Sequence, residues 1–329
     1  MKHLTPGRWN LVADVGGTNA RFGVEDYASS EIRVVRHYSV AEHSNLNEAV
    51  LHFLDDINDL EVWSEFPEAA CVAVACAVES DVLQFTNSPW TVNANELAAI
   101  LGDIKVELIN DFAAVGYAVG DLKPQDWHQL GPGSPQPGRP IVVLGPGTGL
   151  GVCTLVPIGS GYQVIEGEGG HVDFAPVDSQ ELEVLRLLTS RFGRVSVERL
   201  LSGEGILNIY QALTSLAGGE AQHTSPSEVT AAAMAGSDSL ALEAMEMFAR
   251  VLGGAAGNLA LTLGAKGGVY IAGGIVPRFL AFFENSDLRH RFESKGRFRS
   301  YLADIPLRVI VKNDMGLAGA ARRLDLAER

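Results

Sequence analysis

The chain has 329 residues, 47% of them apolar and 20% charged, with a formal net charge of −15. That is enough for one large or two ordinary domains with real cores. The acidic balance argues against nucleic acid as a partner, because phosphate contacts need a concentrated basic face. A small anion held by backbone N–H groups stays open.

The first ten residues, "MKHLTPGRWN", carry no apolar segment of the kind a secretion signal needs, so a cytoplasmic protein is expected. "NLVADV" and "RFGVEDY" read as strands on either side of a Gly turn, and "IRVVRHYSV" as a third. From Asn45, "NLNEAVLHFLDDI" has helical spacing. A buried strand "EAACVAVACAV", a helix near "ANELAAIL" and a strand "KVELIN" follow, so a β-meander leads into α/β alternation. Cys71 and Cys76 sit at an odd offset, on opposite faces of their strand. With Cys153 they make three cysteines without metal-like spacing, expected as core residues in a reducing compartment.

The Pro/Gly-rich stretch "GDLKPQDWHQLGPGSPQPGRP" reads as a surface connection. The pattern then restarts with a strand "IVVLG", a Gly turn, a strand "GVCTLVPI", a tight turn at Gly159, and "YQVIEG". Helices are expected from about Ser179. The most apolar of them, "ALEAMEMFARVLGGAAGNLALTLGA", is interrupted by Glu243, Glu246 and Arg250, which fits a buried soluble helix and not a membrane span. A strand "GVYIAGG", a helix from about Pro277 and a closing helix "MGLAGAARRLDLAE" complete the chain. The basic stretch from Arg289, "RHRFESKGRFRSY", reads as the polar face of a surface helix and loop.

Two Gly-rich turns, "DVGGTNARFGV" from Asp14 and "GPGTGLGVCTL" from Gly145, decide the chemistry. Neither is a P-loop, since no G-x-x-x-x-G-K-[ST] run exists, and neither opens a helix as a dinucleotide fingerprint must. Overlaying Thr18 on Thr148 sets Gly17 on Gly147 and places Leu144 at the position of Asp14. The overlay describes a weak internal repeat, two related domains facing each other. A strand–turn–strand hairpin offers successive N–H groups to phosphate, and the acid of the first copy suits Mg²⁺.

"DVGGTNAR", "GPGTGLG" and "IAGGIVPR" resemble the two phosphate segments and the adenosine segment of the sugar kinase, heat-shock ATPase and actin superfamily. "INDFAAV", "GEGGHVDFAP" and "VSVERLLSGEG" resemble the bacterial glucokinase family, from about Asn10 to the C-terminal helix. The resemblance implies an α/β, two-domain ribonuclease-H-like (actin-like ATPase) fold with a nucleotide and sugar cleft between domains. The expected division is a small domain of residues 1–110, completed by about 301–329, and a large domain of 111–300. The implied activity is ATP-dependent phosphorylation of glucose at its C6 hydroxyl. A kinase for another hexose or N-acetylhexosamine, or a non-enzymatic nucleotide switch, is the alternative.

The same resemblance assigns residues. ATP is expected on Ala13, Asp14, Val15, Gly16, Gly17, Thr18 and Asn19, on Gly147, Thr148 and Gly149, and on Gly273 and Gly274, with Mg²⁺ held by Asp14 through water. By residue type alone, Asp111 is either a helix N-cap or a general base at a strand end. The family makes it the catalytic base and makes Asn110, Glu168, His171 and Glu198 sugar ligands. Glu168 and His171 are three apart, but Gly169 and Gly170 between them favour a turn over a helix. Asp173 and Asp178 read as structural. The related repressor–kinase group carries a Cys-rich zinc motif after its Gly-Gly-His; here Val172 to Pro176 stand instead, which disfavours zinc and repression. Ala77 stands where the family commonly has proline, so the backbone there and the nearby loop with Asn87 are expected to differ. A homodimer is implied, with no nucleic-acid or membrane partner.

Overall fold

The computed structural model describes residues 7–58, 63–78, 80–85 and 89–327; Asn87 lies outside them. The chain divides into two compact units, one running to Leu122 and resuming at Lys312, the other from Lys123 to Val311. The sequence-based division had its breaks at 110 and 300.

The first unit is built on a five-stranded sheet of order β3-β2-β1-β4-β7. Its strands are β1 (Trp9–Val15), β2 (Asn19–Asp26), β3 (Ile32–Ser39), β4 (Ala69–Val74) and β7 (Lys105–Asn110). β5 (Val82–Gln84) and β6 (Thr91–Asn93) form a separate ribbon. β1 is antiparallel to β2 and parallel to β4, and β4 is parallel to β7. Both faces of β1 are covered, as its apolar run requires. Trp9, Leu11, Ala13 and Val15 enter the core that also holds residues of the helices α1 (Leu46–Asn58) and α2 (Ala94–Ile100). Val12 enters the opposite core with Leu317 and Ala320 of the C-terminal helix α12 (Met315–Ala327). The period of two therefore turns Asp14 to the α12 face. Cys71 and Cys76 pack into opposite cores, although β4 ends at Val74, so strand alternation places only Cys71.

α3 (Asp111–Val119) stays with this unit because it packs against α12 at backbone distance. A Cβ on Gly319 would overlap the Ala114 carbonyl, so only glycine permits the approach. The chain leaves after α3 and returns just ahead of α12.

The second unit has a six-stranded sheet of order β11-β10-β9-β12-β13-β8. These are β8 (Trp127–Leu130), β9 (Ile141–Pro146), β10 (Leu150–Ile158), β11 (Gly161–Gly167), β12 (Gly268–Ile271) and β13 (Leu307–Ile310). Without β8 the order and sense repeat those of the first sheet. β8 lies within the stretch expected to be plain connection; it is a short edge strand antiparallel to β13. Its four residues are too short for a period-two signal to emerge from the Pro and Gly around them.

The repeat is real but its turns differ by one residue. Four residues, 16–19, separate the paired Val15 and Ala20, whereas three, 147–149, separate Pro146 and Leu150. Counted back from the turn, the partner of Asp14 is therefore Gly145 and not Leu144. The second copy lacks the acid in either register.

Helices α4 (Ser179–Phe192), α5 (Gly203–Leu216), α6 (Pro226–Ala235) and the 25-residue α7 (Ser239–Leu263) follow β11. α7 is lined with buried Ala, Met and Gly, and Gly257 lets the Phe292 carbonyl approach where a Cβ would lie at 2.5 Å. No described helix is long and apolar enough to cross a membrane. The expected helix from Pro277 is a run of short pieces, α8 (Ile275–Arg278), α9 (Leu280–Glu284), α10 (Leu288–Glu293) and α11 (Arg299–Ala303). The basic stretch is a solvent face only in its second half, where Gly296 to Ser300 are exposed. Arg289 donates to the carbonyls of Ile305 and Ala303, and Arg291 forms a two-point pair, 2.8 and 2.7 Å, with the buried Glu181. Two of its cations thus serve the interior, where hydrogen-bonded pairing offsets their desolvation.

Candidate active site

In the first unit the candidate residues gather at one sheet edge. Val15, Val74 and Asn110 end β1, β4 and β7 and stand side by side in register. Two inter-strand spacings, about 10 Å, therefore separate the first Gly turn from Asn110. Ala13 and Val15 are fully buried, so their side chains shape the scaffold only. The turn is closed by Gly16 N–H donating to the Asn19 carbonyl at 2.9 Å, and the Thr18 carbonyl accepts from Val40 N–H.

Asp14 pairs across the hairpin with Arg21, whose Nη1 donates to its Oδ2 at 2.8 Å. Asp314, just before α12, is the second acid beside Arg21, at 3.8 Å. Gly316 in the first turn of α12 sits on the Asp14 carboxylate, where a Cβ would be 2.6 Å from Cγ. Burial pushes the Asp14 carboxyl above its usual range, although Arg21 opposes the shift. Sequence reasoning missed Arg21, yet hairpin register alone places it opposite Asp14.

Asn110, and not Asp111, is the N-cap of α3. Its Oδ1 accepts from the N–H groups of Phe112 and Ala113, and its Nδ2 donates to the Cys76 carbonyl at 3.2 Å. That last bond anchors the backbone next to Ala77. Asp111 is the first helical residue, and its Oδ1 accepts from Phe112 N–H at 2.8 Å. The cap fixes the carboxylate at the positive end of a helix dipole.

In the second unit the turn 147–149 is tied on several sides. Gly147 N–H donates to the Gly149 carbonyl, and Gly203 N–H, opening α5, donates to the Gly147 carbonyl, both at 2.8 Å. Beside it, Ile271 of β12 pairs with Leu144 of β9, which brings Gly273 against Gly145 and Pro146 at the end of β9, just ahead of the turn. Gly273 has φ +82°, and a Cβ there would overlap the Pro146 carbonyl, so this position requires glycine twice over.

Residues 169–171 form a single 3-10 turn after β11, with no α-helix between Glu168 and His171 and both side chains exposed, in line with the turn expected. The exposed His171 and Glu168 meet at 3.9 Å. Glu198 lies in a 3-10 turn (Val197–Arg199), and its Oε2 accepts from Leu150 N–H at 2.8 Å, directly after the turn 147–149. Asp173 pairs with Arg194 and Asp178 caps α4, both structural as expected.

Among the described residues no group of three or more His, Cys, Asp or Glu could hold a metal. One carboxylate already bonded to Arg21 does not make a protein cage for Mg²⁺. It fits an outer role towards an ion that keeps its waters and phosphate ligands.

A family model described as Glucokinase matches residues 11–327. A glucokinase of Hahella chejuensis is 44% identical over 321 residues, 98% of each chain. One of Cronobacter sakazakii is 43% identical over 317 residues, 96% of this chain and 97% of its own. Among solved structures, a glucokinase from an Antarctic psychrotroph matches with a TM-score of 0.85 at 32% identity, covering 97% of this chain and 99% of that one. A ROK family glucokinase from Streptomyces griseus, solved with glucose and AMPPNP, shares the fold with a TM-score of 0.61 at 19% identity, covering 97% and 98%.

Proposed function

The chain belongs to the glucokinase family, and from that premise we infer that it transfers the γ-phosphoryl group of ATP to the C6 hydroxyl of glucose, yielding glucose 6-phosphate and ADP. The observation that carries this is full-length identity above 40% to curated glucokinases. The shared strand order of the two sheets supports the ribonuclease-H-like, actin-like ATPase class, with the two units as its domains.

Asp111 is the general base in this proposal. Its carboxylate takes the C6 proton as the hydroxyl attacks, and the rigid Asn110 cap keeps it from rotating away. The remaining Nδ2 proton of Asn110 and the side chains of Glu168, His171 and Glu198 hold the ring hydroxyls. The turns that Gly16 and Gly147 close with their own N–H groups present those of Gly17, Thr18 and Asn19, and of Thr148 and Gly149, to the phosphates, with Gly273 and Gly274 towards the adenosine. Mg²⁺, when bound with ATP, neutralises charge on the transferring phosphoryl group. Asp14 holds a water of its shell, and Arg21 fixes the direction of Asp14.

We also propose a cytoplasmic homodimer. The three free cysteines suit a reducing compartment, and the family resemblance supports the dimer. Coupled ADP release across a panel of hexoses and N-acetylhexosamines tests the substrate. Glucose is expected to lead it, and ADP release that no sugar stimulates would instead support a nucleotide switch.

A further inference from the structure

The peptide of Leu150 is where the second phosphate turn meets both sugar-side segments. Its N–H donates to Glu198 Oε2 at 2.8 Å. Its carbonyl lies against Gly170, close enough that a Cβ there would overlap it. Gly149 is equally tight on the other side, where a Cβ would stand 2.7 Å from Glu198 Oε2. The Glu198 backbone carbonyl accepts from Ser202 Oγ at 3.0 Å, and the neighbouring Gly203 N–H holds the Gly147 carbonyl. One carboxylate therefore fixes the residue that follows the turn, and its own segment fixes the residue that opens it. Among the described residues, Glu198 Oε1 has no hydrogen bond to the protein.

We propose that Glu198, besides holding sugar, is the positioning residue of the second phosphate turn, so that glucose and the ATP phosphates strengthen each other's binding within this unit. This rests on the glucokinase reading above. A sugar hydroxyl donating to Oε1 freezes the torsions of Glu198, so the Leu150 bond through Oε2 no longer bears that ordering cost. The turn amides are then held for phosphate before it arrives. By linkage, bound nucleotide holds Glu198 for sugar to the same extent.

The test is AMPPNP binding by calorimetry, with and without saturating glucose, on variants whose folding is checked by circular dichroism. In the wild type, glucose tightens AMPPNP about five- to tenfold. Glu198→Ala weakens AMPPNP even without sugar, whereas Glu198→Gln, whose amide oxygen still accepts from Leu150, restores it. Gly149→Ala pushes an intact carboxylate off Leu150 and lowers the coupling below twofold. Wild-type AMPPNP affinity in Glu198→Ala, or wild-type coupling in Gly149→Ala, overturns the proposal while leaving the glucokinase reading standing. A wild-type chain that neither binds nor phosphorylates glucose removes that reading itself.

Discussion

Gly273→Ala probes the scaffold of the proposed nucleotide site without touching a charged group. Two penalties meet at this position. An L-residue at φ +82° pays about 1–2 kcal/mol against the left-handed preference of glycine. The new methyl also falls on the Pro146 carbonyl and 3.3 Å from the Gly145 carbon, and overpacking of this kind is worth about 1–3 kcal/mol. The atoms in the way are backbone, so no side chain can rotate aside. Relief comes only from shifting the end of β9, which leads straight into residues 147–149. Of the combined ~2–5 kcal/mol, a share of ~1.4 kcal/mol spent on displacing the turn raises the Kd for AMPPNP about tenfold. The remainder lowers Tm by several degrees. Calorimetry and a thermal melt read the two parts separately. If the melt stays unchanged and the Kd stays within about twofold, the close approach of Gly273 to the turn is refuted.

Other outcomes follow from single contacts. Arg291→Met strands the Glu181 carboxylate in the core and is expected to cost about 3–5 kcal/mol in denaturant unfolding, with Glu181→Leu added in the double variant recovering most of it. Gly319→Ala, clashing with the Ala114 backbone, should destabilise the first unit by more than about 3 kcal/mol, read as lost soluble yield and a lowered melt. Because burial raises the Asp14 carboxyl, its ionised form opposes folding above the unfolded value, and that penalty fades as pH falls through the folded value. Asp14→Asn, melted in EDTA, should thus be at least as stable as wild type at neutral pH, lose that advantage on acidification, and lose kinase activity.

Much of the architecture could be read directly because the apolar runs of β1 and β9 end abruptly in glycine, which marks strand and turn at once. The Asn45 start of α1 and the closing α12 showed clear helical spacing for the same local reason. Harder features depended on contacts distant in sequence. That Arg289 and Arg291 serve carbonyls and a buried acid cannot be seen from a basic run, since the partners lie at residues 302–305 and 181. The one-residue difference between the hairpin turns moved the partner of Asp14 from Leu144 to Gly145, because glycine runs align equally well in two registers. Asn110 took the cap that residue type alone allowed to Asp111. The tie from Glu198 to Leu150 joins segments 48 residues apart and carries no local signature.

In the proposed mechanism Asp111 activates a glucose hydroxyl towards ATP. This role is tested most directly by measuring glucose 6-phosphate formed per ADP released, in wild type and in Asp111→Asn. One-to-one, glucose-dependent turnover is expected in the wild type, and a kcat about 10²–10⁴-fold lower in a variant that still folds and binds glucose. Near-wild-type turnover by Asp111→Asn, or ADP release that ignores glucose, would contradict the mechanism.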